Sequence, residues 1–385
     1  MKKLIQITAL IFLLGFPVEY LQAQDSTEVI LAKDTIQKKR NVWQSIYHYF
    51  ADANQKSNKK FDISIIGGPH YSSDTKVGLG LVAAGLYSLD RKDSLTPISN
   101  ISLFGDITTT GFYLIGVRGN NIFRRSDWRI DYNMYFYSFP GAFWGLGYHA
   151  GDNEANASKY LRSQASTRFD FLFRIAPRLY VGPSIGFDYT QGKKMRNPSL
   201  IAGLDSSYMD INYGFELIYD SRDFIPNAYE GFYLMLQQRN FINFDGKPFY
   251  KTLLTADYYQ KAWKGAVFAF DLYSEISYGN VPWTMMAPIG GSNRMRGYYE
   301  GRYRDNNMVT FQVEYRQKIY NRHGVVAWGG FGNVWGTDKF SLKHTLPNWG
   351  VGYRWEFKKR VNVRLDYGFG KSGQNSFLFS INEAF

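Results

Sequence analysis

The chain has 385 residues, a formal net charge of +12 and no cysteine. Its length admits two or three soluble domains or one large closed sheet, and the lack of cysteine excludes a disulfide framework and thiolate chemistry. Thirty tyrosines, thirty phenylalanines and nine tryptophans accompany a mean hydropathy of −0.33. This combination is typical of a transmembrane β-barrel, in which one face of each strand meets lipid and the other a polar lumen.

The first 60 residues differ from the remainder of the chain. Lys2 and Lys3 precede an apolar stretch at 4–16, and Ala23 offers a small residue for cleavage, which predicts a secretory signal at 1–23. An uncleaved anchor helix is the alternative. Residues 24–60 are predicted to form a periplasmic tail with a short amphipathic helix, because apolar residues recur there at helical spacing, namely Val42, Ile46, Tyr49, Phe50 and Ala53.

The positive charge is scattered, and its clusters at 124–125, 261–264 and 358–360 fall in probable turns. An exported chain meets acidic lipid head groups rather than nucleic acid. We therefore expect outer-membrane lipids and lipopolysaccharide as partners, and no nucleic acid.

From residue 61 onward the apolar period changes to two, as at 128–136, 209–219 and 361–369. The pattern predicts an all-β antiparallel barrel over 61–385, with a soluble sandwich or propeller as the alternative. Short and long connections alternate, as expected for periplasmic turns and external loops. Sixteen strands are predicted to begin near residues 61, 76, 98, 111, 127, 160, 178, 207, 230, 250, 264, 308, 323, 347, 361 and 376.

Three motifs suggest chemistry that their context does not support. Ser184 lies in a G-x-S-x-G match at 182–186, but strand alternation continues through it where a hydrolase needs a strand-to-helix elbow. The glycine-rich segment 78–83 lacks the helix that a dinucleotide site requires. The five histidines have no metal-like spacing. We therefore predict no catalytic centre, cofactor or metal.

The longest connection, 279–307, holds Arg296, Gly297 and Tyr298 among aromatic residues and methionines. So much apolar surface predicts a loop folded into the lumen and not a disordered one. A guanidinium binds a carboxylate through two parallel hydrogen bonds, so Arg296 is a candidate anchor. Alternation along the next strand points Glu314 inward as its acidic partner. An exposed basic loop is the alternative.

Three segments together resemble one family. IGGSNRMRGYYEG (289–301), YDSRDFIPNAYEGFYL (219–234) and the run 349–385 are similar, in the same order, to motifs of the bacterial surface antigen family of assembly barrels, the BamA/TamA superfamily. The resemblance implies a sixteen-stranded barrel in a Gram-negative outer membrane, with an inward loop and a seam that opens for client chains. Its turn motif corresponds to Asp220, Arg222, Asp223, Pro226 and Gly231, and its C-terminal assembly signal to Phe377, Phe379, Ile381 and Phe385, which we expect on one face.

Two departures from the family pattern shape the expected function. Gly330 stands where members often carry a second acidic partner for the loop, so the anchor is expected to be weaker or differently paired. The 24–60 segment has no room for a POTRA domain, which suggests a periplasmic accessory subunit or a homo-oligomer. The first strand, predicted as a short run over 61–68 that ends in Gly67, Gly68 and Pro69, should pair poorly and weaken the seam.

The sequence thus predicts a non-enzymatic barrel that helps to insert or translocate a protein or lipid client through its seam or lumen. A passive pore and an adhesin or structural barrel are the alternatives. A surface hydrolase that uses Ser184 is the least favoured alternative.

Overall fold

The computed structural model describes residues 61–89, 97–244 and 247–385. The predicted signal (1–23) and the tail with its amphipathic segment (24–60) lie outside these residues. Sixteen strands close into an antiparallel barrel, and two short strands form a separate ribbon. No helix in the described part is long and apolar enough to span a membrane.

Strand lengths in the barrel range from the seven residues of the last strand to the nineteen of the sixth. The strands are β1 (Phe61–Ser72), β2 (Lys76–Tyr87), β3 (Ser99–Thr108), β4 (Tyr113–Phe123), β5 (Trp128–Phe143), β6 (Ser158–Ala176), β7 (Leu179–Lys193), β8 (Ser207–Asp220), β9 (Gly231–Asn243), β10 (Phe249–Lys261), β11 (Ala266–Gly279), β12 (Ala287–Pro288), β13 (Arg304–Asp305), β14 (Asn307–Tyr320), β15 (His323–Trp335), β16 (Leu346–Lys358), β17 (Val361–Phe369) and β18 (Asn375–Ile381).

Among the described residues, helical structure is confined to the connections between strands. It consists there of one α-helix, α1 (Tyr148–Asp152), and the 3-10 turns Arg124–Ser126, Glu154–Asn156, Pro198–Ile201, Ile225–Asn227, Trp283–Met285, Leu342–His344 and Lys371–Gly373.

Each barrel strand pairs antiparallel with its neighbours in the chain, except that β11 pairs with β14 and leaves β12 and β13 in the connection between them. All sixteen observed starts lie within two residues of the predicted ones. The predicted all-β barrel with an inward loop is confirmed. Period-two patterning was sufficient here because strands such as β8, β14 and β17 have one apolar and one polar face.

The two ends of the barrel differ in their connections. The turn end carries mostly short connections, at 124–127, 177–178, 221–230, 262–265, 321–322 and 359–360, and the C-terminal residues follow a strand that ends there. The loop end carries the long ones, at 144–157, 194–206, 280–306 and 336–345. Long loops at one end and tight turns at the other are the pattern of outer-membrane barrels.

Alternation of burial defines the two faces of the wall. On β14, Thr310, Gln312 and Glu314 are buried toward the lumen, while the residues between them face outward. Large apolar side chains cover the outside, and Leu103 and Trp349, for example, are 51% and 55% exposed. An apolar exterior around a polar interior fits a bilayer environment.

The first strand differs from the expectation. Instead of ending at Gly68, β1 continues through Pro69 to Ser72 and pairs with β2 along its whole length. Proline removes one backbone donor, which an edge strand tolerates. Most of β1 is such an edge, because only Tyr71 and Ser72 pair with β18.

Candidate functional site: an anchored inward loop and a sparsely paired seam

The connection between β11 and β14, residues 280–306, is called loop 6 here. It turns into the lumen and is held in shape by the β12–β13 ribbon, in which Ala287 pairs with Asp305 and Pro288 with Arg304. Its apolar side chains form a buried cluster with strand residues, which includes Ile289, Met295, Tyr298, Tyr303, Met308, Val334 and Leu346. Loop 6 therefore has a small core of its own inside the barrel.

Arg296 lies at the inner tip of loop 6 and is fully buried. Its Nη1 donates to Asp366 Oδ2 at 2.8 Å, and its Nη2 donates to Glu314 Oε2. The guanidinium also stacks on the Trp328 ring, 3.7 Å from the centroid. Two charge-assisted hydrogen bonds and an aromatic face fix the arginine in orientation as well as position.

The two residues after Arg296 make a close approach to the wall possible. Gly297 has φ +118°, and a Cβ there would lie 2.7 Å from the backbone of Phe369. Tyr298 packs beside β16 and β17, where its hydroxyl donates to the Pro347 carbonyl and accepts from the Lys371 N–H at 2.8 Å. Arginine, glycine and tyrosine thus serve three separate contacts with one side of the barrel.

The residue before Arg296 is also held by the wall. The Met295 N–H donates to Gln312 Oε1 at 3.1 Å, and the Asn348 amide donates to the same oxygen at 3.3 Å. Arg294 forms an ion pair with Asp271 at 2.9 Å. The tip is consequently bound by strands β11, β14, β16 and β17.

Beyond Arg296, the charges continue into a closed circuit, called the charge ring here. It alternates three arginines with three carboxylates in the order Arg296, Glu314, Arg316, Glu383, Arg354 and Asp366, and each adjacent pair lies within 4.0 Å. All six side chains are at least nine-tenths buried. Removal of one member would leave each of its two buried neighbours with one counter-charge from the ring instead of two.

Asp366 and Glu383 are functional candidates that the sequence reasoning missed. Gly330, where a second acid was expected, faces Gln312 and Asn348 instead, and a Cβ there would lie 2.3 Å from the Phe311 carbonyl oxygen. The second carboxylate comes from β17, two strands further along the barrel. The polar–apolar alternation of β17 marks Asp366 as inward, which was the available signal.

Phe385 corrects one expectation. Phe377 and Ile381 lie on the outer face, but β18 ends at Ile381 and Asn382 adopts φ +69°, which turns the chain inward. Phe385 packs against Ala228, Tyr259 and Ala269, and its carbonyl oxygen accepts from Arg316 Nη2 at 2.8 Å. It does not share the outward face with Phe377, Phe379 and Ile381, because the strand that would align them has already ended.

The 219–234 segment forms a compact turn between β8 and β9. Arg222 binds both carboxylate oxygens of Asp220, at 3.0 and 2.8 Å, and stacks on the Tyr233 ring. Gly231 has φ +117°, where a Cβ would lie 2.5 Å from the Ser221 carbonyl oxygen. Pro226 lies in the 3-10 turn Ile225–Asn227.

This turn reaches across the barrel mouth to the β16–β17 turn. Arg360 forms an ion pair with Asp223 at 2.8 Å and donates to the Asn227 carbonyl. Burial acts to raise the pKa of Asp223, but the Arg360 hydrogen bond and the backbone N–H groups of Tyr229 and Glu230 bring it below its ordinary value. This contact links the β8–β9 turn to the β16–β17 turn at the turn end of the barrel.

The seam between β1 and β18 is closed over two positions, Tyr71↔Phe379 and Ser72↔Leu378. By contrast, β17 and β18 pair from Val363↔Ile381 to Phe369↔Asn375. Both seam pairs lie near the loop end, where the Phe377 N–H also donates to Ser73 Oγ at 2.9 Å. Toward the turn end, β1 has no strand partner on its seam side among the described residues.

Loop 6 also contacts the first hairpin. The Glu300 N–H donates to Asp74 Oδ2, in the β1–β2 turn, at 3.1 Å. Burial raises the pKa of Asp74 to about 6, despite this hydrogen bond. Loop 6 therefore has contacts beside both seam strands, through Asp74 after β1 and through the charge ring to Glu383 after β18.

The described residues show no arrangement suited to nucleophilic or metal chemistry. Ser184 is buried in β7 and its hydroxyl has no hydrogen-bond partner there. His70 pairs with Asp106, and His149 lies against His344 near α1. No group of three possible metal ligands occurs in the part of the chain that the structure describes.

The chain resembles a known family in sequence and known structures in fold. A profile of the Omp85 superfamily domain matches residues 119–385. The chain is similar in fold to BamA from Haemophilus ducreyi lacking POTRA domains 1–3, with a TM-score of 0.58 and 14% identity over 85% of this chain and 71% of that one. It is also similar to CdiB from Acinetobacter baumannii, with a TM-score of 0.55 and 11% identity over 85% and 60%. CdiB from Escherichia coli gives a TM-score of 0.53 and 9% identity over 87% and 69%. No curated protein sequence matches.

Proposed function

We propose a function from the premise that the chain belongs to the Omp85 superfamily. The barrel inserts or translocates protein clients of the outer membrane by opening its β1–β18 seam. The observation that carries this proposal is the seam itself, which is paired over two positions while β1 continues for ten residues beyond them.

An unpaired strand edge presents a row of backbone N–H and C=O groups that can add another strand. Residues 61–70 of β1 are such an edge in the described part of the chain. A client strand with period-two patterning could pair there with its apolar side toward lipid. Opening costs little, because it separates the pairs at Tyr71 and Ser72, the Phe377–Ser73 hydrogen bond and the Tyr71–Phe377 ring contact.

Loop 6 favours the seam over the lumen as the route. Its core occupies the lumen, and the charge ring binds it to strands β14, β16 and β17 and to Glu383 after β18. A passive pore would require this loop to move. If clients passed through the lumen, deletion of 285–303 would raise conductance and leave client insertion undiminished. If clients use the seam, as we propose, the deletion should raise conductance but abolish client insertion.

The partners follow from this role. We propose a location in the Gram-negative outer membrane, with phospholipid and lipopolysaccharide around the apolar exterior and exported barrel proteins as clients. A periplasmic accessory subunit or a second copy of the chain would deliver clients to the turn end. Catalysis has no part in this proposal.

A disulfide across the seam tests the proposal directly. Tyr71 and Phe379 are register partners, and directly opposed residues of antiparallel strands have a Cα separation that a disulfide can span. Because the chain has no cysteine, Tyr71→Cys with Phe379→Cys introduces the only two thiols. The assay is the rate at which a denatured client barrel folds into vesicles that contain the protein.

We expect oxidation to stop client folding and a reductant to restore it. The matched control is Leu103→Cys with Val117→Cys, which joins two register partners of β3 and β4 away from the seam. Unchanged client folding with a fully formed Tyr71–Phe379 bridge would refute a working seam. Loss of activity in both bridged proteins would likewise count against it.

A further inference from the structure

We propose that the cavity behind the seam is a binding site for the phosphate group of an anionic membrane amphiphile, held between Arg162 and Arg304. This site is separate from the strand edge that would receive a client, and it does not rest on the proposed function.

The cavity has a volume of about 660 Å³ and lies between the seam strands, β6 and loop 6. At one side it meets the seam at Tyr71 and Leu378, and at the other it reaches Arg162 on β6 and Arg304 on β13. A ligand could therefore enter this cavity from the bilayer through the seam.

Arg304 is 3% exposed and has no carboxylate partner in the described part of the chain. Its Nη1 makes two long hydrogen bonds, to the carbonyls of Trp283 at 3.3 Å and Thr284 at 3.4 Å. Its Nε is buried and has no hydrogen-bond partner. A buried guanidinium with an unused donor is costly unless an anion completes it.

Arg162 resembles Arg304 in its hydrogen bonds and in its lack of an ion pair. Its Nη2 donates to the neutral Gln164 amide at 2.9 Å, its guanidinium lies 5.6 Å from the Tyr137 ring, and its Nε is buried and unused. It too forms no ion pair with any described residue. In the charge ring, by contrast, each of the three arginines pairs with two carboxylates.

The carboxylates that line the cavity form no ion pair with either arginine among the described residues, although the charge of Glu300 acts favourably on both. Asp106 is paired with His70 at 2.8 Å. Asp74 accepts from the Glu300 N–H, and the Glu300 side chain is exposed to solvent. Among the described residues, the cavity therefore contains two cations without an ion-pair partner, although its acidic and basic residues are similar in number.

The chemistry favours a phosphate with an apolar chain. Guanidinium forks suit the oxygens of a phosphate, and two neighbouring guanidinium groups suit a group with several acceptors. The same cavity is also lined by inward apolar side chains, namely Val82, Phe112, Leu114 and Leu378. Two cations beside an apolar lining that reaches the seam at Leu378 fit an amphiphile better than free phosphate.

Calorimetry with the full-length barrel in maltoside micelles tests this proposal, with dodecyl phosphate as the probe and inorganic phosphate as the comparison. We expect Arg162→Gln and Arg304→Gln each to weaken dodecyl phosphate binding by roughly tenfold or more, because each removes one charge-assisted contact. The control is Arg129→Gln, an ion-paired lumen arginine outside this cavity, which should bind normally.

A second variant leaves both arginines in place. Gly68 lines the cavity, and a Cβ there would meet no heavy atom within 4 Å, so Gly68→Leu should fill the space and block the probe in a folded barrel. Wild-type affinity in the double variant Arg162→Gln/Arg304→Gln, or in Gly68→Leu, would overturn the proposal. Inorganic phosphate that binds as tightly as dodecyl phosphate would overturn the lipid assignment.

Discussion

The wall formed by β14–β17 and the seam between β1 and β18 are built in opposite ways. In the wall, strands pair over long registers, and loop 6 is bound to them by buried ion pairs, a stacked tryptophan and close backbone contacts. At the seam, two residue pairs and the Phe377–Ser73 hydrogen bond close the barrel. One side therefore resists movement, and the other can open at small cost.

The wall and the seam also differ in how their buried arginines are paired. Wall arginines alternate with carboxylates in the charge ring, whereas Arg162 and Arg304 behind the seam form no ion pair within the described part of the chain. The two regions are joined at Glu383 and Asp74, which lie just beyond the two seam strands. This arrangement suggests that a fixed wall holds loop 6 while the loop steadies the seam from inside.

The largest effect should come from Arg296→Ala. It leaves Glu314 and Asp366 buried beside one another with less positive charge, which should cost about 3–5 kcal/mol. We expect faster protease cleavage within 280–306 and a lower urea midpoint of unfolding. Lys261→Ala is the control, because Lys261 and its partner Glu230 are both largely exposed and the loss of their ion pair should change little.

The pairing itself is tested by the double variant Arg296→Ala/Glu314→Ala. If the two residues act through one ion pair, the double variant should be little worse than either single variant. Defects that add fully would show that Arg296 and Glu314 act independently.

A slightly smaller effect is expected for Asp366→Asn, which removes the charge that three arginines face. We expect about 3 kcal/mol of destabilisation in urea unfolding. Gly330→Asp should not rescue it, since a side chain at 330 would collide with the Phe311 carbonyl. Rescue would mean that the wall tolerates the acid at either position.

The fold could be predicted from the sequence because the evidence was local. Period-two alternation and turn residues placed sixteen strand starts, and the same alternation put Thr310, Gln312 and Glu314 on the inward face of β14. The aromatic content of 279–307 predicted an inward loop, which is observed.

The missed features depend on contacts across the barrel. Asp366 meets Arg296 because of the path of loop 6 relative to β17, which no local pattern encodes. Glu383 and Phe385 turn inward because β18 ends at Ile381, and the period alone would continue the strand. The length of β1 was underestimated, because glycine and proline weaken a strand prediction even where β2 supplies a partner at every position.

Glu383→Gln probes the connection between the wall and the last strand. Glu383 accepts from Arg354 Nε at 2.8 Å and from the Asn362 amide at 2.6 Å. Loss of its charge should cost about 2 kcal/mol and increase photocrosslinking from Phe377 to a client. Glu356→Gln is the control, since its ion pair with Lys318 lies at the same end but outside the ring. Equal crosslinking in both variants would show that the charge ring does not control opening of the seam.

The smallest effect concerns the first strand and depends on pH. Asp74 has a pKa of about 6 in the folded protein against about 3.9 in an unfolded chain, so the folded state binds a proton first as pH falls. Stability should therefore rise by about 1 kcal/mol between pH 7.5 and pH 5, a modest gain because Asp74 is partly exposed. Asp74→Asn keeps an acceptor for the Glu300 N–H without a charge, so its stability should match that of the wild type at pH 5 and exceed it at pH 7.5.

Urea midpoints at the two pH values measure this difference in stability, with Asp338→Asn as a loop-end control. An Asp74→Asn protein that is less stable at pH 7.5 would show that the charge itself holds loop 6 against the first hairpin.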